Sequence, residues 1–376
     1  MLLLLNTLST TNSSGRSVLA GHLSRLVAWA GEEHEFVGLC HAGNRDLQDI
    51  LPRRIRWIEC PAWTGHWFGR ALWERTRLGG IVRQTQADVL FMASGTVVET
   101  CGTPQVSLAM NPWCLVPAAW SGRRDRAKAW LQRRAYRSAV QRAALMVYLS
   151  RYLRDAYVAN AGRTEKDYVI APAGLNDDVL AACGRAGARD RHEPRRVICV
   201  SLMAPHKGVE TVIEALAVLR GRYAVPAELH LVGGWPVPAY EQSVRALVSR
   251  LGLEACVQIH GFVPRQALFD HYARATAFCL MSWCESFGIP AVEAQCFGTP
   301  VVSSNCCAIP EVCGKGGIYP AAGDVEGTAA ALARLLTDPA AWSRYSQAAS
   351  ANAATYTYDL TARPLLKVLD VGVGKS

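Results

Sequence analysis

Residues 285–304 read ESFGIPAVEAQCFGTPVVSS, and the order of residue types in them decides how the second half of the chain folds. Glu285 follows an expected strand, Ala277 to Met281, and sits in a turn with Phe287 and Gly288. Pro290 fits the first helical position, where its missing N–H leaves nothing unsatisfied. Glu293 is expected in that helix's first turn, where the positive end of the dipole favours a carboxylate, and Gly298 closes the helix. Two acids eight positions apart, one in a loop and one on a helix, therefore surround free backbone N–H groups at a helix N-terminus. Such groups take phosphate or sugar oxygens. Carboxylates beside them suit vicinal diols, because each accepts two hydroxyl protons.

Outward from this stretch, short β-branched or apolar runs alternate with longer amphipathic ones, the pattern of βαβ units and parallel sheets. Strands are expected at Leu2 to Leu5, Phe36 to Cys40, Ile55 to Glu59, Asp88 to Met92, Gln105 to Ala109, Leu145 to Leu149 and Tyr168 to Ile170. A second series comprises Val197 to Ser201, Glu228 to Val232, Val257 to His260, Ala277 to Met281, Pro300 to Ser303 and Gly317 to Tyr319. Between the series, Asn176 to Pro194 is polar, helix-poor and contains Gly184 and Gly187, as a linker would. The expected organisation is an N-terminal Rossmann-like domain over 1–175, a linker over 176–194, a C-terminal domain over 195–355, and a helix over 356–376 crossing back to the first domain. Two doubly wound sheets would face a cleft lined by strand C-termini, where ligands of such sheets bind.

Two further loops belong with the 285–304 stretch. CVSLMAPHKGVETVIEAL places His206, Lys207 and Gly208 between a strand and a helix, where a lysine reaches phosphates gathered at helix ends. ELHLVGGWP puts Gly233 and Gly234 directly after a strand, where backbone can approach a ligand closely. With HGFVP at His260 to Pro264, which contains Gly261, and IPEVCGKGG at Ile309 to Gly317, these residues resemble glycosyltransferase family 4, of the GT-B enzymes. The resemblance covers most of the chain and is strongest from Val197 to Pro339.

The resemblance implies a nucleotide-activated sugar donor held by the C-terminal domain, and metal-independent transfer that retains anomeric configuration, with no cofactor. Glu285 would hold donor-sugar hydroxyls and stabilise positive charge at the anomeric carbon. Glu293 would bind the ribose diol, and backbone N–H groups of Ser286, Phe287, Gly288 and Ile289 would line sugar and phosphate. Lys207 would neutralise the leaving diphosphate, the largest charge to develop; Gly233 and Gly261 would border the donor. The family commonly has a Gly-Arg pair where this chain has Ser201 and Leu202. His206 is then either a replacement donor to the diphosphate or a solvent-facing loop residue. In the first domain LAMNPWCLVP stands where a His is often found. Asn111 is either a sugar or acceptor contact or the start of an Asx turn before Pro112. Gly15, in TLSTTNSSGRS, is either the remnant of a glycine-rich cleft loop or part of a helix start capped by Ser13 or Ser14.

Charge separates the halves. Of 376 residues, 40 are Lys or Arg and 31 Asp or Glu, and the excess lies in residues 1–175, with 22 basic against 13 acidic; the remainder has 18 of each. Arg123 to Arg142 holds eight basic side chains and one acid, Asp125. At 100° per residue Arg126, Arg133, Arg134 and Arg137 share a face with Trp130, opposite Leu131, Ala135, Ala139 and Met146. That face reads either as a dock for anionic lipid headgroups or a pyrophosphate-bearing lipid acceptor, or as an ordinary solvated surface. No helix-turn-helix, zinc or RNA-binding pattern accompanies it, which argues against nucleic acid. The 13 cysteines are scattered, without a Cys-x-x-Cys pair, and read as reduced core thiols of a cytoplasmic protein, peripheral on the inner membrane face. MLLLL reads as a first buried strand, since it lacks a basic n-region. Expected partners are a nucleotide sugar and a glycan or lipid-linked acceptor. Rival readings are a GT-B sugar-nucleotide epimerase, or a binding protein on a decayed transferase fold.

Overall fold

The computed structural model describes residues 1–185 and 193–372. Contacts divide the chain into two units: one formed by Met1–Leu115, Trp120–Gly174 and the chain from Thr357 onward, the other by Val116–Ala119 and Leu175–Tyr356.

The first unit is built on a seven-stranded sheet, β1 (Leu2–Asn6), β2 (Glu35–Cys40), β3 (Ile55–Glu59), β4 (Val89–Met92), β5 (Gln105–Ala109), β6 (Leu145–Tyr148) and β7 (Tyr168–Ile170), in the order β3-β2-β1-β4-β5-β6-β7. Every pairing is parallel. MLLLL earns its place here: Leu3, Leu4 and Leu5 have no exposed surface, as a central parallel strand covered on both faces requires. The strand order reverses between β1 and β4, which makes their C-terminal ends the unit's switch point.

The second unit repeats the plan with six parallel strands, β8 (Arg196–Val200), β9 (Glu228–Val232), β10 (Val257–Gly261), β11 (Ala277–Leu280), β12 (Val301–Ser303) and β13 (Gly317–Ile318), ordered β10-β9-β8-β11-β12-β13. Its reversal falls between β8 and β11. Lys207 lies in the loop after β8, Gly233 directly after β9 and Glu285 in the loop after β11, so the loops singled out by sequence cluster around the switch point.

Three expectations need correction. The segment read as a helix-poor linker contains a helix, Asp177–Arg185, with Val179 and Ala182 buried. Asp177 and Asp178 occupy its first turn, where they complement the dipole, so a stretch polar in composition is amphipathic in three dimensions. Gly187 lies outside the described residues. The C-terminal stretch is not one helix: Tyr358–Thr361, a 3-10 turn Arg363–Leu366 and Lys367–Asp370 follow one another, because Pro364 cannot continue a helix. Its ties run within the first unit, Arg25 Nε to Asp359 Oδ1 at 2.6 Å and Lys367 Nζ to Asp167 Oδ1 at 2.6 Å. Finally, Pro290 is the second residue of the helix Ile289–Cys296, which puts Glu293 in its second turn rather than its first.

All 13 cysteines are free, and ten are buried. No described helix is long and apolar enough to cross a membrane.

Candidate functional site

Two loops of the second unit are pinned to each other before either meets a ligand. The carbonyl of His206 accepts the Trp283 N–H at 2.8 Å and the Ser282 hydroxyl at 3.1 Å, which joins the loop after β8 to the loop after β11. Gly208 lets them close. Its φ is +65°, and a Cβ there would stand 2.1 Å from the Met281 carbonyl oxygen, nearer than any side chain tolerates. The closure brings Lys207 Nζ to 2.6 Å from Glu285 Oε1, with the two side chains 15% and 16% exposed. Burial works to lower the Lys207 pKa, but the adjacent carboxylate outweighs it and holds the ammonium above its ordinary range. Lys207 is thus a fixed cation at the switch point.

His206, its neighbour, is half-buried. Burial first and the Lys207 charge second bring its pKa down to about 4. A neutral imidazole can donate one N–H but brings no positive charge, so His206 does not replace the family's arginine as a cation.

Beyond Glu285, the Phe287 side chain is buried and meets Tyr356 edge-on, ring centroids 5.4 Å apart. That anchor fixes the turn, Gly288 adopts φ +93° to start the helix, and the N–H groups of Phe287, Gly288 and Ile289 have no protein acceptor among the described residues. Ser286 belongs to the same turn and is half-buried. Free N–H groups at a helix start, beside a lysine, form an anion-binding arrangement.

Glu293 is held differently from its expected role. Its carboxylate is 7% exposed, accepts the Tyr272 hydroxyl at 3.0 Å, and lies 3.5 Å from Arg265 Nη2. Arg265 in turn donates to Asp178 Oδ1 at 2.9 Å. Burial raises the Glu293 pKa, and Arg265 and Tyr272 pull against it. The second acid of the motif is therefore already engaged in a buried network, and only its remaining lone pairs are open to a diol. Arg265, Tyr272 and Asp178 escaped the sequence reading because they lie 28, 21 and 115 positions from Glu293 and share no motif with it.

Gly233 is required by the protein itself. At φ +139° a Cβ would lie 1.8 Å from the Ser201 carbonyl oxygen, so the close approach expected of a ligand is made by the neighbouring strand end. Gly261, at φ +65°, has open space where its Cβ would be, and Leu202 is exposed.

In the first unit the placements are these. The helix Ser13–Trp29 is capped by Asn12, whose Oδ1 accepts the Gly15 N–H at 2.7 Å, so the cap is Asn12 and not Ser13 or Ser14. Gly15 sits inside that first turn. Asn111 Oδ1 accepts the Trp113 N–H at 2.9 Å, the Asx turn of the alternative reading. Beside the unit's switch point, Asn6, the last residue of β1, donates to Glu74 Oε1 at 2.8 Å. Glu74 is buried, which raises its pKa; no motif marks it in the sequence.

The basic helix Arg123–Arg142 buries Ala129, Tyr136, Ala139 and Val140. Leu131, expected to be inward, is 47% exposed beside Trp130 at 61%. Arg133 and Arg137 turn onto the neighbouring helix, donating to the Asn160 side chain at 2.9 Å and its carbonyl at 3.2 Å. All four arginines are exposed nonetheless, so the expected face is present, with two of its members tied to Asn160. A more apolar surface lies elsewhere in this unit: Trp63, Trp67, Phe68 and Leu72 are all exposed, with Arg75 and Arg77 following.

Residues 185–353 match the model of the family described as glycosyl transferases group 1. A D-inositol 3-phosphate glycosyltransferase of Streptomyces griseus is 32% identical over 197 residues, 48% of this chain and 41% of the relative. A GDP-mannose-dependent alpha-(1-6)-phosphatidylinositol monomannoside mannosyltransferase of Mycolicibacterium smegmatis is 30% identical over 211 residues, 52% of this chain and 54% of that protein. The chain thus spans about half the length of the curated relatives it matches. Among solved structures, the sucrose-phosphate synthase of Thermosynechococcus elongatus superposes with a TM-score of 0.77 at 16% identity, covering 100% of both chains. HepE of Anabaena, solved with UDP and glucose, gives 0.74 at 18% identity, covering 98% of this chain and 99% of the other. These likenesses show the fold, that of GT-B. Within the matched segment, Lys207, Glu285 and the helix start at Gly288 lie at one edge of one sheet.

Proposed function

We propose that the chain is a retaining glycosyltransferase that moves a sugar from a UDP- or GDP-linked donor to a glycan or lipid-linked acceptor, without a metal at the reacting centre. The observation that carries this reading is the Lys207–Glu285 pair at 2.6 Å beside the acceptor-free N–H groups of Phe287, Gly288 and Ile289. A nucleoside diphosphate needs a cation and N–H donors, both fixed before the bond breaks; a sugar ring acquiring positive charge needs a carboxylate near it. The pair supplies both charges within one hydrogen bond of each other. Lys207 stays protonated through the reaction and neutralises the departing diphosphate, and Glu285 accepts sugar hydroxyls and faces the anomeric carbon. Glu293, oriented by Tyr272 and Arg265, takes the ribose hydroxyls with its remaining lone pairs. The names of the relatives support both a nucleotide-sugar donor and an acceptor bearing phosphate or lipid.

The test is a screen of UDP- and GDP-sugars for thermal stabilisation, followed by acceptor-independent hydrolysis of whichever donor stabilises. Stabilisation with slow hydrolysis supports a transferase. Interconversion of the donor sugar with no hydrolysis points to an epimerase, and binding with no turnover to a binding protein.

Membrane contact is assigned to the aromatic surface of the first unit rather than to the arginine face, because that surface exposes four large apolar side chains. Trp63, Trp67, Phe68 and Leu72, followed by Arg75 and Arg77, join apolar rings to positive charge as an interfacial segment does. We assign this surface to an anionic bilayer, at which a lipid-linked acceptor would be met.

A further inference from the structure

One cluster in the second unit has no part in the donor chemistry. His230 on β9, His260 on β10 and His271 on the helix Arg265–Arg274 bring one ring nitrogen each to within 4.8 Å of one another. His230 Nδ1 and His260 Nε2 are 2.9 Å apart with their rings nearly parallel, and His271 meets His260 edge-on, centroids 4.5 Å apart. We infer that these three imidazoles form a binding site for a divalent transition-metal ion, of which Zn2+ is the fitting representative.

The ligand set selects the ion. Three imidazoles without a thiolate suit Zn2+, Ni2+, Co2+ or Cu2+, and not Mg2+ or Ca2+, which require oxygen. At a Zn–N distance of about 2.0–2.1 Å and tetrahedral angles, two ligand nitrogens stand about 3.3 Å apart. The His230–His260 pair has therefore to open by only about 0.4 Å from its 2.9 Å separation. A fourth position remains for water.

The hydrogen bonds around the trio show where its lone pairs lie. A single proton lies between His230 and His260, and a change of tautomer exposes the second lone pair. Arg196 Nη2 is 2.9 Å from His271 Nδ1, which therefore carries its lone pair there. That guanidinium is also paired with Glu193, which offsets part of its charge beside the trio.

The surroundings tolerate positive charge. Arg196 and Arg274 face the trio, but so do Glu193, Glu228 and Asp270. His230 Nε2 is buried without a hydrogen-bond partner, 3.7 Å from Glu228 Oε2. That is the place of an outer carboxylate, which directs the ring proton outward and the lone pair toward a metal. The consequence is mechanical. His271 precedes Tyr272, whose hydroxyl holds Glu293, so an ion bridging β9, β10 and this helix would fix the helix that orients the second acid.

The experiment uses the full chain stripped with a chelator and titrated with ZnCl2 by calorimetry, then with CoCl2 by absorption. The expected result is uptake of a single equivalent, a rise in melting temperature, and visible d–d bands without the near-ultraviolet charge-transfer band of a cobalt thiolate. His260→Gln and His271→Gln, both at half-buried positions, should each weaken Zn2+ by more than about ten-fold, the smallest loss that even an outer-shell change produces. Absence of saturable uptake by the wild type would overturn the inference. So would uptake undiminished in the double variant, or a strong thiolate band, which would place the ion on the cysteines.

Discussion

Glu285→Gln separates the two charges at the centre of the proposed site. The substitution keeps shape and a hydrogen-bond acceptor but removes the counter-charge 2.6 Å from Lys207 Nζ. The gross attraction of such a pair is about 6 kcal/mol at an effective dielectric of about 20, most of it offset by the desolvation of both groups. Breaking a fully buried pair costs roughly 3–5 kcal/mol. Here the side chains are 15% and 16% exposed and the amide oxygen still accepts from the ammonium, so a loss of about 2 kcal/mol is expected. For a unit of this size that lowers the melting temperature by roughly 4–8 °C. Transfer should fall by about a hundred- to a thousand-fold, the usual consequence of removing one transition-state stabiliser. Nucleotide affinity should behave differently. Released from its carboxylate, Lys207 meets the diphosphate without a competitor, so the affinity for UDP or GDP, whichever the wild type binds, should hold or rise. Calorimetric titration of the nucleotide beside a transfer assay reads both. Affinity falling in step with turnover would refute the assignment, because it would mean that Glu285 serves only to hold Lys207 in place.

The other expectations concern separate parts of the structure. Gly233→Ala should abolish soluble expression, since its Cβ would lie 1.8 Å from the Ser201 carbonyl oxygen. Gly261→Ala, with open space around it, should lose only about 1–2 kcal/mol of left-handed strain in chemical denaturation. Tyr272→Phe removes the 3.0 Å bond to Glu293; it should raise KM for the donor several-fold with kcat little changed, and an equal fall in kcat would contradict the positioning role. Burial brings the His22 pKa down to about 4, so between pH 6.5 and 4 the unfolded chain takes up a proton that the folded chain does not. Stability falls as pH falls through that window, by at most about 1.4 kcal/mol per pH unit, and His22→Gln should flatten the slope measured by urea denaturation. Co-sedimentation with anionic vesicles should weaken in the Trp67→Ala, Phe68→Ala, Leu72→Ala triple variant and persist in Arg133→Ala, Arg137→Ala; the reverse pattern would return membrane contact to the basic helix.

The elements were legible because each is a local pattern. An apolar run such as LLLL at 2–5 reads as a buried parallel strand whatever surrounds it, and the 13 strands among the described residues fall where the runs are. The motif order around Lys207 and Glu285 was equally plain. What escaped was anything set by neighbours distant in sequence. Asp177 to Arg185 is polar by composition, and only its packing shows which of its residues face inward. Leu131 reads as a core residue by periodicity, yet the inward face of its helix is set by Ala129, Tyr136 and Val140. His206 reads as a replacement donor or a loop residue, and only burial beside Lys207 shows that any donor it supplies is a neutral one.

By itself, the sequence determined two parallel-sheet units and the loops that carry Lys207, Glu285 and Glu293, because strands, helix starts and glycine turns are specified by residues within a few positions of one another. Tertiary structure alone decided the electrostatics. It set Lys207 against Glu285, closed Glu293 into a network with Tyr272, Arg265 and Asp178, tied two of the four arginines to Asn160, and assembled His230, His260 and His271 from three elements. Charge and desolvation act through space, and the distances that govern them come into being only when the sheets form.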